Sequence, residues 1–215
     1  MTHPSDAMAR LFDAVPANDL PLAPRYNICP TQAVGVICAS PGRRSYRPMR
    51  WGFVPHWYKT PTDGPLLINA RAETIAEKPA FGAAVRARRC LVPATGFFEW
   101  TKDEAGNRLP WYFTPSDSAP LVFAGVWQEW GQGAAVLRSF AIVTTAASPW
   151  MAATHHREPV VLAPDDWARW LGETDEKAAP LMRSAPEGYY QRWRVDPKVN
   201  SNRAEGPALT QAIAV

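Results

Sequence analysis

From Arg89 to Thr144 the chain repeats one pattern. Short runs rich in β-branched and aromatic residues, at 89–93, 97–100, 110–114, 121–127 and 138–144, alternate with Gly, Pro, Asp and Ser. Strands favour the first kind of residue and turns the second. A chain with its middle committed to short strands must bury them in a sheet, so an α+β fold is expected. The expected form is a single domain over residues 1–215, a curved mixed β-sheet or partly closed barrel with a few peripheral helices. Its 215 residues suit one domain and allow a substantial core.

The flanking segments read less uniformly. Met8, Leu11, Phe12 and Val15 share a face at helical spacing and predict a helix over 4–15, with Thr2 or Ser5 as its cap. Residues 33–38 and 49–54 read as strands, with Pro41-Gly42 as a turn. Thr74-x-x-Glu77 has the form of a capping box opening a helix towards Val85. Asp165 to Leu171 predicts a compact helix capped by Asp165, with Trp167, Trp170 and Leu171 on one face and Gly172 as its stop. Residues 190–195 read as a late strand. The 22 prolines are spread along the chain, so they punctuate loops and do not mark a disordered tract.

Bulk properties exclude more than they assign. A net charge of +3 defines no nucleic-acid surface by itself, so any such surface depends on where the arginines lie. Cys29, Cys38 and Cys90 are too few and too scattered for a disulfide framework or a zinc site, and read as reduced thiols of a cytoplasmic protein. No apolar run reaches spanning length, so no membrane partner is expected. A monomer without metal or cofactor is the expected state.

Four segments carry groups suited to chemistry. In Leu67–Thr74, Asn69 can orient a hydroxyl or amide and Arg71 can hold a phosphate by two parallel hydrogen bonds; the same spacing suits a turn whose backbone Asn69 and Glu73 satisfy. Glu99 stands between Phe98 and Trp100. Pointing inward, its pKa rises by desolvation and it suits acid–base work; pointing outward, it is a solvated strand residue. His155 and His156 are two of the four histidines, and one of them is suited to moving protons near neutral pH. On an extended segment the pair faces opposite ways, so only one is expected to reach a shared site. Arg50, Trp51 and Trp57 mix cationic and aromatic groups that can neutralise phosphate and stack on bases, or serve as core.

Taken in order, six pieces of the chain resemble the SOS-response-associated peptidase (SRAP) family, the abasic-site processing proteins. They are Arg25–Gln32, Met49–Pro55, Ile68–Thr74, Arg89–Ala94 running on to Phe98-Glu99-Trp100, Phe123–Trp127, and His155-x-Arg157-x-Pro159-Val160. The resemblance implies a partner, single-stranded DNA containing abasic sites. It also implies a reaction in which a cysteine following the initiator Met captures the opened sugar aldehyde as a thiazolidine. Asn69 would then position the cysteine and sugar, and Glu99 would pass protons to the sugar oxygen and the amine. His155 would assist ring opening. Arg71 and Arg157 would hold phosphates, and Trp51 or Trp57 would shape the surface where the strand bends. The family's older reading, a thiol autopeptidase, and a non-catalytic single-strand binder are the alternatives.

Two departures from the family pattern carry expectations. Glu158 stands where the family usually has Met, and its charge beside Arg157 is expected to weaken or re-aim the phosphate contact. The chain as written opens Met1-Thr2-His3-Pro4, without the family's Cys-bearing strand. Because Asn69, Glu99 and His155 all remain, a start assigned too late or a shortened chain is favoured over a natural variant that has lost the chemistry. Cys29 has no free α-amine and offers only a reversible thiohemiacetal. Thr2 is expected to lie some distance from the site. The chain as written is expected to bind without crosslinking.

Overall fold

The strand-like runs pair into two sheets, whose tightest connection is two residues long. The computed structural model describes residues 1–21, 23–133 and 136–214. In the larger sheet, β2 (Ala33–Ser40) and β3 (Arg43–Trp51) form a hairpin turned at Pro41-Gly42, as the sequence predicts. The strand β2 pairs with β5 (Arg89–Ala94), β5 with β8 (Leu121–Trp130), and β8 with β9 (Leu137–Ala146), all antiparallel. The parallel pairing of β9 back onto β3 at Arg50↔Ser139 and Trp51↔Phe140 completes a ring of hydrogen-bonded strands. The mixed α+β fold expected from the pattern is therefore present.

One strand organises the rest. Along β9, residues 139–140 pair with β3, residues 142–144 pair with β4 (Asn69–Arg71), and residues 144–146 pair with β10 (Arg157–Pro159). Segments far apart in sequence thus deliver Trp51, Asn69, Arg71 and Arg157 to neighbouring positions. The smaller antiparallel sheet holds β6 (Phe97–Lys102), β7 (Arg108–Pro115) and β11 (Tyr190–Arg194), in the order β11-β7-β6. Only Thr95 and Gly96 join β5 to β6. A Cβ on Gly96 would meet the Phe113 carbonyl oxygen and the Tyr112 ring at less than bonding-free distance, so no larger residue fits this corner.

Strand alternation divides the core. Ile37 and Leu91 point into a cluster with Met8, Phe12, Phe53 and Trp170, under the helices. Their neighbours Val36, Cys38, Cys90 and Val92 point the other way, into a cluster with Phe113, Phe123, Phe140 and Tyr190 that joins the two sheets. All three cysteines are free thiols. No helix of the described residues is long and apolar enough to cross a membrane.

The helices depart most from expectation. The first, α1, is Ser5–Leu11, with neither Thr2 nor Ser5 as its cap; Asp13 adopts a left-handed φ of 48° and turns the chain into β1 (Ala14–Pro16), which places Val15 in an exposed strand. The capping box at Thr74 opens no helix: turns occupy that stretch, and α2 begins only at Gly82–Ala87. A short helix α3 (Pro149–Ala152) precedes the histidines, capped by the Ser148 hydroxyl. A 3₁₀ turn at Pro164–Asp166, with no side-chain cap from Asp165, leads into α4 (Trp167–Leu171); this helix stops at Gly172, φ 80°, and buries Trp167, Trp170 and Leu171 as expected. The second hairpin strand starts six residues earlier than predicted and ends at Trp51, because Gly52 at φ 131° turns the chain out of the ladder.

Candidate active site

Where the smaller sheet meets β4, β9 and β10, the fold leaves a cleft of about 770 Å³. Glu99 enters it from β6. Phe97, on the same face of that strand, stacks on Phe113 at 5.0 Å and fixes which side of β6 turns inward. Of the two orientations the sequence allowed for Glu99, the structure shows the buried one, with its side chain 24% exposed. Burial raises the Glu99 pKa; the His155 charge, the Trp100 backbone N–H and Arg108 act in the opposite direction.

His155 approaches from the opposite wall. Its backbone N–H donates to the Met151 carbonyl of α3 at 3.1 Å, and its ring Nδ1 lies 2.9 Å from the Arg157 carbonyl oxygen. The Arg157 backbone N–H lies 3.2 Å from the same Nδ1, so one residue offers this nitrogen both an acceptor and a donor, and either ring tautomer finds a partner here. The same Nδ1 is 3.9 Å from Glu99 Oε1, a charge contact too long for a hydrogen bond. The two histidines do not face apart. The chain bends at this point, so strand alternation does not apply; both rings line the cleft, with centroids 4.5 Å apart.

Asn69 and Arg71 are exposed on β4 and line the same cleft, with Ala70 between them buried against the core. Trp51 lines the cleft with them, and its indole N–H donates to the Ile68 carbonyl at 3.1 Å. Trp57 and Arg50 lie outside the lining. Trp57 is 48% exposed and packs edge-on against His56, while Arg50 folds back to donate to the Gly52 carbonyl.

The structure gives Arg157 a partner that spacing did not reveal. Its guanidinium donates to both Glu73 carboxylate oxygens, at 2.8 and 2.9 Å, and to the Thr144 carbonyl at 2.8 Å. The fork expected to hold a phosphate is filled by a carboxylate of the same chain. Glu158 also departs from its expected role. It alternates with Arg157 on β10, so it turns into the core and is 1% exposed. There it accepts from Ser148 N–H at 2.8 Å, Ser148 Oγ at 2.9 Å and Ala185 N–H at 2.6 Å. A carboxylate so occupied does not re-aim Arg157.

Three contributors were given no part in the site by the sequence, although one of them, Asn27, lies within the Arg25–Gln32 piece. Arg108 lines the cleft and lies 4.4 Å over the Trp100 ring, whose N–H donates to Asn200 at 2.7 Å. Asn27 donates to the carbonyls of Ser201 and Ala204 at 3.0 and 3.2 Å, drawing the late 3₁₀ segments against the cleft. Thr2 was expected at a distance, yet Met1 and Thr2 both line the cleft because α1 starts only at Ser5. Thr2 N–H donates to Thr95 Oγ1 at 2.9 Å, and the Met1 amine donates to the Arg25 carbonyl at 2.6 Å. Burial first, then the Arg25 charge, lowers that amine to about 6, while Glu205 acts in the opposite direction. Cys29 also lines the cleft, but burial pushes its thiol up, away from the reactive thiolate.

Fold and cleft together define an α+β protein with a carboxyl and an imidazole facing each other at the junction of two sheets. Residues 1–202 match the family model described as SOS response associated peptidase (SRAP), and the chain belongs to that family. It is 37% identical over 150 residues to abasic site processing protein YoaM of Bacillus subtilis, an alignment covering 69% of this chain and 66%, just under two thirds, of that relative. It is 30% identical to YoqW of the same organism, covering 88% of this chain and 86% of YoqW. It is 28% identical to YedK of Escherichia coli, covering 97% and 95%; both carry the same description, abasic site processing protein. A crystal structure of a protein from Bacteroides thetaiotaomicron shares the fold with a TM-score of 0.85 over 100% of this chain and 98% of that one, at 24% identity.

Proposed function

We propose that this protein processes abasic sites in single-stranded DNA. The observation that carries the reading is the Glu99–His155 pair, 3.9 Å apart in a cleft also lined by Asn69 and Arg71. An abasic sugar exists in equilibrium with an open aldehyde, and opening it requires a proton to reach the ring oxygen as one leaves the hydroxyl. A carboxyl with a raised pKa facing an imidazole is suited to that exchange. Asn69 offers a donor and an acceptor to the opened sugar, and Arg71 and Arg108 offer charge to the flanking phosphates. A sugar must leave a stacked duplex to reach Glu99, and an unpaired strand makes that least costly.

The covalent step, a thiazolidine, needs a thiol and a primary amine on one residue. Cys29, Cys38 and Cys90 are internal, so their nitrogens are peptide nitrogens. Residues 1–215 therefore supply the proton transfer and positioning, and the link needs a cysteine at a free N-terminus. A peptidase acting through Cys29 is opposed by its raised thiol pKa.

The reading is tested by fluorescence anisotropy with labelled single strands, intact or carrying one abasic site. Residues 1–215 should prefer the abasic strand, and Asn69→Ala should remove the preference while leaving affinity for the intact strand. Equal affinity of the unaltered protein for both strands would overturn the reading.

A further inference from the structure

Glu99 and His155 belong to different parts of the fold. Glu99 sits on the smaller sheet, and His155 follows α3, which leads out of β9 of the larger one. Their separation therefore depends on whatever fixes α3 against the smaller sheet.

Register shows what does so. Across the smaller sheet, Glu99 pairs with Trp111 and Trp111 with Arg194; two residues along, Phe97 pairs with Phe113 and Phe113 with Arg192. Directly opposed residues share a face, and so do residues two apart, so Glu99 and Arg192 are on one face. On that face the Arg192 guanidinium lies between two indoles, 4.9 Å from the Trp111 ring and 4.8 Å from the Trp150 ring. Trp150 belongs to α3. Arg192 also donates to the hydroxyl of Thr154, the residue before His155. One side chain of the smaller sheet thus holds both the helix and the loop that present His155.

We infer that Arg192 is a positioning residue for the acid–base pair, locking the His155 loop to the sheet that carries Glu99. The inference rests on the reading of Glu99 and His155 as the reacting pair. Cation–π contact with two indoles restrains a guanidinium in one direction, and the hydrogen bond to Thr154 restrains it in another. Reacting groups tolerate little displacement, so loosening this clamp reaches the chemistry without touching the cleft lining.

The test reads the pair directly. The charged groups that act on Glu99 are His155 and Arg108, and only the first depends on the clamp. The Glu99 carboxyl is followed by carbon-13 NMR titration, assigned with Glu99→Gln, in the unaltered protein, His155→Asn, Arg192→Met and the double variant. His155→Asn should raise the Glu99 midpoint in the unaltered protein. In the Arg192→Met background it should raise it by less than about half as much. Arg192→Lys, which keeps the charge and a donor but loses the planar group that meets the two indoles, should restore the coupling only in part. Thr154→Val loses only the hydrogen bond and should weaken the coupling partly; it carries the test if Arg192→Met fails to fold. Equal effects of His155→Asn with and without the clamp overturn the inference. No DNA is involved, so a failure here is distinct from a failure to discriminate abasic strands. In a form supplied with a free N-terminal cysteine, Arg192→Met should lower the maximal rate of adduct formation on abasic DNA about tenfold or more with little change in half-saturation.

Discussion

Arg157 grips Glu73 through two parallel N–H···O contacts and gives a third to the Thr144 carbonyl. The pair bridges β10 and the turn after β4, so it holds together two of the segments that line the cleft. The Arg157 hydrogen bonds keep the Glu73 carboxyl at about 2, below its ordinary 4.5. A depressed carboxylate stabilises the fold above its unfolded value and loses that contribution as pH falls through the folded one. Urea unfolding followed from pH 5 to pH 2 should show a loss in the unaltered protein that Glu73→Gln lacks. The side chain is 47% exposed, so the difference should stay within about 1 kcal/mol. Identical pH slopes would count against the pair.

Glu99 has the opposite sign. Its raised pKa means the fold holds the proton more tightly than the unfolded chain does, so the ionised group disfavours the fold once pH exceeds the ordinary 4.5 and rises through the folded value. Glu99→Gln should therefore raise the thermal midpoint at pH 7, with the gain shrinking towards pH 4. In the protein supplied with a free N-terminal cysteine, the same substitution should slow processing of abasic DNA about 10²–10⁴-fold. A variant both slower and less stable at pH 7 would contradict the placement of Glu99 in a desolvated catalytic position.

Glu158 is structural in this account. Replacing it with Ala strands the buried N–H group of Ala185 and the half-buried one of Ser148, at about 1–3 kcal/mol for each unsatisfied donor. Chemical unfolding should show a loss of about 3 kcal/mol, while the salt dependence of DNA binding stays unchanged. A changed salt slope with intact stability would return Glu158 to the DNA surface.

The arginines should separate by role. Arg71 is exposed at the cleft, so Arg71→Ala should weaken binding and lower the slope of log affinity against log salt by about 1. Arg50 holds the Gly52 carbonyl away from the cleft, so Arg50→Ala should cost stability and leave that slope alone. Equal slopes for the two variants would show that the cleft does not select among them.

The strands of 89–144 were legible because alternation and Pro/Gly punctuation are local signals, and the helix at Trp167 because its face and its Gly172 stop are local too. Val15 failed because helical spacing cannot register the left-handed Asp13 that ends α1. Asn69, Glu99 and His155 were legible from their motifs, but their convergence depends on β9, whose pairings with β4 and β10 leave no trace in either segment. Arg108 and Arg192 were invisible for the same reason, and Asn27, though within the Arg25–Gln32 piece, showed no role: each acts through a partner distant in sequence. Glu158 and Arg157 read as one charged patch, and strand alternation placed them on opposite faces.

The most direct measurement compares two proteins on denaturing gels after incubation with single-stranded abasic DNA. One is residues 1–215; the other is the same sequence preceded by an N-terminal segment that begins with a free cysteine, taken from a relative. The account predicts a stable adduct for the second alone, lost when Glu99→Gln or His155→Ala is added. An adduct whose rate of formation is unaffected by both substitutions would contradict it, because the cleft would then have no part in the chemistry.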